Sequence, residues 1–148
     1  MEVLWPLAGD ARRVWKHRKM VEIPDGYGDL LERPLYAHLA TLRPDNTVQV
    51  NPMWFEFDGE LARFTHTTKR QKYRNVRAHP QVAFSIADPD NPYRYLEVRG
   101  EVDEIEPDPT GAFYMRLAER YRLPMKEPPP DAPDRVVFVV RPTGFSKQ

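Results

Sequence analysis

The chain has 148 residues, 41% of them hydrophobic, and its 22 basic side chains balance 22 acidic ones. That length and apolar content fit one globular domain with its own core, and a neutral chain is not a general nucleic-acid binder. With no cysteine, disulfides, thiolate catalysis and zinc–thiolate sites are excluded, and no stretch has signal or membrane-spanning length, so a soluble cytoplasmic protein is expected.

Residues 1–28 read as an N-terminal arm and 29–148 as the main domain. Within the arm, Asp10 to Met20 reads as a short basic helix with Val14 and Trp15 apolar. Asp25 to Glu32 reads as another short helix, ended by Arg33-Pro34. Strands are expected at Tyr36–Leu42, Val48–Phe57, Leu61–Thr67, Gln81–Ala87, Tyr93–Ile105 and Val136–Val140. The turn Arg43-Pro44-Asp45-Asn46 separates the first two, and Asp58-Gly59 is a hairpin signal before the third. In the long fifth strand Leu96, Val98 and Val102 alternate with Tyr95, Glu97, Arg99, Glu101 and Asp103, a half-buried pattern. Lys69 to Ala78 reads as a short helix with Thr68 as its N-cap. Asp108 reads as the cap of a last helix with Pro109 at its first position, and Phe113, Tyr114, Leu117, Ala118 and Tyr121 form its apolar face. Six strands and few helices point to a mainly β antiparallel barrel or sandwich. No Gly-rich dinucleotide fingerprint and no βαβ alternation occur.

The stretch from Leu61 to Ala87 contains no Asp or Glu, yet it carries Arg63, Lys69, Arg70, Lys72, Arg74 and Arg77. Its cations fall where a strand hands over to a helix, so free backbone N–H groups and the helix dipole can join them. Arg70 can grip two oxygens with its fork, and Lys72 can act as a point charge. The hydroxyls of Thr65, Thr67 and Thr68 beside them point to a phosphate, whose oxygens accept many bonds. The plain alternative is a solvated basic face.

Asn51-Pro52-Met53-Trp54 is a second candidate. A proline inside a strand marks an edge or a bulge, where exposed backbone can meet a flat heterocycle; the alternative is a distorted edge strand with Trp54 in the core. Tyr93 and Tyr95 can pack on a planar ligand or on a second subunit, or simply across strands. The four histidines have no metal-like spacing, and each reads as a lone structural residue. Neither serine sits in a nucleophile turn, and the acidic residues of the fifth strand read as a solvated face. An enzyme without nucleophile, metal site or acid/base pair must borrow its chemistry from a cofactor.

Several of these pieces, taken together, resemble the pyridoxamine 5'-phosphate oxidase-like split-barrel flavoproteins, and within them the branch that uses the deazaflavin coenzyme F420. They are His38-Leu39-Ala40-Thr41-Leu42, Asn51-Pro52-Met53-Trp54-Phe55 with Asp58-Gly59, Arg70 to Arg77 running on to His79-Pro80, and Tyr95-Leu96-Glu97-Val98-Arg99-Gly100. The likeness spans residues ~30–142. It implies a six-stranded Greek-key split barrel and a homodimer with cofactor sites between subunits. Arg70 and Lys72 match the phosphate-gripping pair, flanked by Thr65, Thr67, Thr68 and Lys69. Gln49, Asn51, Pro52 and Met53, with Trp54 beside them, match the strand against the ring system. Tyr93 and Tyr95 match positions reaching the site from the partner chain. Asn75 matches a family position whose geometry suggests a structural hydrogen bond. His79 stands where an Asp is usual. The implied activity is hydride transfer from reduced F420 to an activated double bond of a small-molecule acceptor. An FMN-dependent relative and a non-catalytic flavin, deazaflavin or tetrapyrrole carrier are the alternatives, and no nucleic-acid or membrane partner is expected.

Overall fold

The computed structural model describes residues 21–148; the helix expected over 10–20 lies outside the described residues. The described chain forms one antiparallel sheet of seven strands and three short α-helices. The helices are α1 (Asp29–Glu32), α2 (Gln71–Ala78) and α3 (Ala112–Arg120). The strands are β1 (Ala37–Leu42), β2 (Val48–Met53), β3 (Phe55–Phe57), β4 (Ala62–Thr67), β5 (Gln81–Asp88), β6 (Asn91–Pro107) and β7 (Arg135–Lys147). Their spatial order is β2-β1-β5-β6-β7-β4-β3. Among the described residues no helix is long and apolar enough to cross a membrane.

The seventh strand arises from a break in the segment expected to be one strand over 48–57. β2 pairs with β1 at one margin of the sheet, and β3 pairs with β4 at the opposite margin. Only Trp54 lies between them. The sheet therefore curls until one residue of chain joins its two edges, which is the split-barrel form. Pro52 falls on the edge strand β2, where a missing N–H removes no ladder bond on the open side.

Inside the curl Phe55, Phe64 and Phe84 form an aromatic cluster, with ring centroids 6.0, 5.9 and 5.2 Å apart. Leu39, Ile86, Leu96, Val98 and Phe138 complete the core. The alternation expected along β6 is present, with Leu96, Val98 and Val102 buried. A second, smaller cluster of Leu61, Phe113, Leu117, Val137 and Val139 seats α3 on the outside of β4 and β7, and Trp54 packs against it rather than within the main core.

Several expected boundaries differ: α1 begins at Asp29 instead of Asp25, α2 at Gln71 instead of Lys69, and β6 runs two residues further at each end. Helix α3 starts at Ala112 instead of Pro109, because residues 108–111 close a turn in which Gly111 N–H donates to the Asp108 carbonyl (2.9 Å) and Gly111 takes φ 70°. Asp108 still caps the helix from across that turn, accepting from the N–H groups of Phe113 (3.2 Å) and Tyr114 (3.3 Å). The last strand runs to Lys147, well past the expected end at Val140, and takes Pro142 and Gly144 into its length. Register shifts between Arg99 and Gly100 and between Val102 and Glu104 absorb the irregularity and let β6 and β7 stay paired to the end.

At the other end of α3, Arg120 donates to the carbonyls of Glu32 (2.9 Å) and Arg33 (2.8 Å), where α1 ends, and to that of Phe55 (2.9 Å). Tyr121 donates its hydroxyl to the Leu35 carbonyl at 2.7 Å. These bonds satisfy helix-end carbonyls that would otherwise lack partners, and they fix the start of β3 beside Trp54.

Gly100 sits where a Cβ would meet the Arg141 carbonyl oxygen at 2.7 Å and a Val140 methyl at 2.8 Å. Replacing it with Ala should therefore cost about 1–3 kcal/mol of stability, read from urea unfolding midpoints at constant slope.

Candidate functional site

The open side of the curl holds two adjoining clefts. The larger, about 500 Å³, lies between β2 and the start of α2, with Asn51, Met53, His66, Arg70 and Lys72 among its walls. The smaller, about 300 Å³, continues past Pro52 and Met53 toward Tyr36, Trp54, Tyr114 and Arg135. Pro52, Met53, His66 and Arg70 belong to both.

The basic run divides here. Arg63 pairs with Asp58 at 2.5 Å. Arg74 donates to the Gln71 side chain at 2.8 Å, and Arg77 lies over the Tyr73 ring at 5.4 Å. Lys69 is exposed and lines neither cleft. Only Arg70 and Lys72 of the run reach the larger cleft. Among the described residues, no carboxylate forms an ion pair with either of them.

Lys72 is buried, with 5% of its surface exposed. Its ammonium donates to the Asn51 side-chain oxygen. Burial, and then the neighbouring Arg70 charge, hold its pKa below the ordinary lysine value. A buried cation facing a neutral amide and a second cation is electrostatically incomplete, and an anion in the cleft would complete it.

A chain of amides orients these groups. Asn51 accepts from Lys72 and from Gln49 Nε2 (3.1 Å). The Gln49 oxygen accepts from Asn75 Nδ2 at 3.1 Å, which also donates to Thr41 Oγ1 at 3.0 Å. The Asn75 oxygen accepts from Gln71 Nε2 at 2.9 Å. Asn75 is fully buried and lines neither cleft, so it ties α2 to β1 and β2.

The expected N-cap at Thr68 is not used. Arg70 occupies the N-cap position with extended backbone, and no side chain caps the helix. Thr67 instead turns inward, 2% exposed, and accepts from the Lys69 N–H at 3.2 Å. The Thr68 N–H donates to the Asp134 carbonyl at 3.0 Å, which draws this residue toward β7. Neither Thr67 nor Thr68 lines a cleft, whereas Thr65 lines the smaller one.

Gln49, Asn51, Pro52 and Met53 do line the larger cleft, and Trp54 lies in the smaller one, stacked on Tyr121 at 5.2 Å and 9°. Tyr93 and Tyr95 reach neither cleft of their own chain; Tyr93 is 79% exposed at the start of β6.

Sequence reasoning missed His66, Arg135, Tyr36, Tyr114 and Gln71. His66 read as a lone histidine, but it separates the two clefts, is 5% exposed, and has no hydrogen-bond partner at Nε2. Burial, then the charges of Lys72, Arg70 and Arg135, push its pKa down to about 3. Strand alternation puts Thr65 and His66 on opposite faces, so no local pattern marked both as lining one cleft. Arg135 arrives only through the pairing of β4 with β7.

The described residues hold no group of three His, Asp or Glu placed to bind a metal ion. The sequence model of the family described as Pyridoxamine 5'-phosphate oxidase matches residues 23–148. A solved structure named F420 Reductase is 70% identical with a TM-score of 0.83, and the match covers 85% of this chain and 100% of that one. A conserved hypothetical protein from Mycobacterium tuberculosis is 24% identical with a TM-score of 0.67, over 86% of this chain and 85% of that one. General Stress Protein 26 from Bacillus anthracis is 18% identical with a TM-score of 0.63, over 81% and 88%. The last two share the fold. No curated protein matches the chain.

Two measurements probe this geometry. His66 titrates near 6.5 when unfolded and near 3 when folded, so the unfolded chain binds the extra proton between those values. Its contribution to stability is complete above pH 6.5 and falls as the pH drops, by at most about 1.4 kcal/mol per unit. Denaturant unfolding of the wild type and His66→Gln at pH 7.5 and 5 should show a smaller acid loss in the variant. Asn75→Leu should lose about 1–3 kcal/mol of stability, by leaving the Gln49 and Gln71 side chains without their buried partner, as read by the same unfolding assay.

Proposed function

Since the chain belongs to the pyridoxamine 5'-phosphate oxidase family, we propose that it is an F420-dependent oxidoreductase acting on a small conjugated acceptor. The observation that carries this reading is the pair Arg70 and Lys72, without a carboxylate partner among the described residues, at the end of a cleft walled by β2. Its support from outside the chain is the 70% identity to the structure named F420 Reductase. Coenzyme F420, when bound in its reduced form, supplies a hydride.

The residues present fit that group. Arg70 offers its fork and Lys72 a desolvated point charge to a phosphate, and both gain from an anion that offsets their mutual repulsion. Gln49 and Asn51 line the same cleft with amide groups, which suit the polar edge of a heterocycle. Pro52 and Met53 give its ring system an apolar wall, with Trp54 at the far edge. The chain's own contribution is grip, orientation and exclusion of water.

The same reading makes the protein a homodimer with the cofactor sites between subunits. Tyr93 is highly exposed, and Val48 and Val50 stand 64% and 58% exposed on the edge strand beside the cleft. Exposed apolar side chains on a sheet edge are what a second copy would cover. Tyr93 and Tyr95 would then reach the partner's site rather than their own.

Arg70→Ala should weaken F420 binding by about 1.5–3 kcal/mol in a fluorescence titration. Unchanged affinity would displace the phosphate from this cleft. Anaerobic mixing of the protein with reduced F420 and a panel of enones and quinones should give cofactor-dependent turnover. A protein purified with bound flavin and turning over with FMN alone would instead assign the site to FMN.

A further inference from the structure

The smaller cleft differs in chemistry from the larger one. Three aromatic rings wall it: Tyr36, Trp54 and Tyr114. Trp54 contacts two further rings, Tyr121 (5.2 Å, stacked) and Tyr114 (5.9 Å, tilted). Tyr121 is itself held by its hydroxyl bond to Leu35. The Trp54 part of the wall is therefore held in place, and the three rings line a space of about 300 Å³, enough for a flat body of one or two fused rings.

One cation is fixed at this cleft. Arg135 is gripped by Asp131 through Nε and Nη2, each at 3.0 Å, and its guanidinium lies over the Tyr114 ring at 4.5 Å. The fork to Asp131 uses one side of the guanidinium. The remaining nitrogen, Nη1, lies 3.4 Å from Thr65 Oγ1, at the long end for a hydrogen bond. Both Nη1 and the Thr65 hydroxyl belong to residues lining the cleft, so two donors converge where the aromatic walls end. The wall between the two clefts is formed by Pro52, Met53, His66 and Arg70.

We propose that this smaller cleft is the acceptor subsite: it takes a planar, conjugated compound whose oxygen, a carboxylate or a polarised carbonyl, is bound by Arg135 Nη1 and Thr65 Oγ1. The subsite rests on the function proposed above for the word acceptor, and on this geometry alone for the chemistry of the ligand. A guanidinium already half-neutralised by Asp131 binds one oxygen without demanding a dianion. That separates this subsite from the larger cleft, where the buried Lys72 joins the shared Arg70 and, among the described residues, neither has a carboxylate partner. An oxygen held here is the atom of a conjugated acceptor on which charge develops as hydride adds, so the same two donors that select the compound also stabilise that charge until a proton is taken up.

The test needs no cofactor. Quenching of intrinsic Trp fluorescence is titrated with 2-naphthoate and with the neutral 2-naphthalenemethanol. The wild type should bind the carboxylate at least tenfold more tightly, and millimolar inorganic phosphate should not displace it. Arg135→Gln should bring the two affinities together while leaving phosphate binding, read by calorimetry, unchanged. Tyr114→Leu, which keeps the guanidinium–Asp131 pair, should weaken both probes alike, and a far-ultraviolet spectrum matching the wild type shows that each variant folds. Equal affinity of the two probes in the wild type overturns the proposal, as does displacement of naphthoate by phosphate or a preference that survives Arg135→Gln. If naphthoate binds as expected but no acceptor is reduced with F420, the functional reading fails and the subsite stands.

Discussion

The site depends on a row of amide hydrogen bonds that begins on one helix and ends on one edge strand. Asn75, fully buried in α2, holds Gln49 of β2 and Thr41 of β1; Gln49 holds Asn51; and Asn51 receives the Lys72 ammonium. Each link is an ordinary bond worth about 1 kcal/mol net. Their joint effect is directional, because a buried amide left without a partner costs more than the bond contributes. The row fixes the rotation of α2 against the sheet. Given that rotation, Lys72 points into the larger cleft while Arg74 turns to Gln71 and Arg77 to Tyr73. A basic run that is continuous in sequence thus becomes a focused pair of cations.

The second constraint is the way the sheet closes. β2 and β3 are neighbours in sequence and opposite margins in space, joined at Trp54. A barrel closed by a full strand pair would bury its interior. One closed by a single residue leaves an opening between β2 and β4, and both clefts lie along it. Trp54 consequently serves two purposes: it packs against the outer cluster under α3, and its ring forms part of the smaller cleft. The bonds from Arg120 and Tyr121 to the carbonyls of Phe55, Arg33 and Leu35 keep that crossing in place.

Charge is partitioned in the same way. Away from the clefts, Arg33 and Arg94 meet Asp29, Asp88 and Asp90 in a network that ties α1 to the β5–β6 turn. Hydrogen bonding to Arg94 holds the Asp29 carboxyl below the usual carboxylate range. Arg33 and Arg94 build the fold through acids and Arg120 through backbone carbonyls, whereas among the described residues Arg70 and Lys72 have no acid partner. This contrast, rather than the number of basic residues, is what the proposed anion site rests on.

Much of this was legible in the letters. The acid-free stretch marked Arg70 and Lys72, Pro52 marked an edge strand, and period-two burial marked β6, because each is a local consequence of charge, a missing N–H or the pleat. The long-range features were not. Arg135 lies far along the chain from Thr65 and comes beside it through the β4–β7 register. His66 has Arg70 and Lys72 close by in sequence, but its burial and the charge of Arg135 come only with the fold. The split of β2 from β3 and the extension of β7 past Pro142 depend on where the partner strands and their bulges fall. Residue chemistry and local backbone preference thus set which elements form and where the basic side chains gather. Only the closing of the sheet determined which cations, rings and hydroxyls share one opening, since that depends on pairings between segments that carry no mark of each other in sequence.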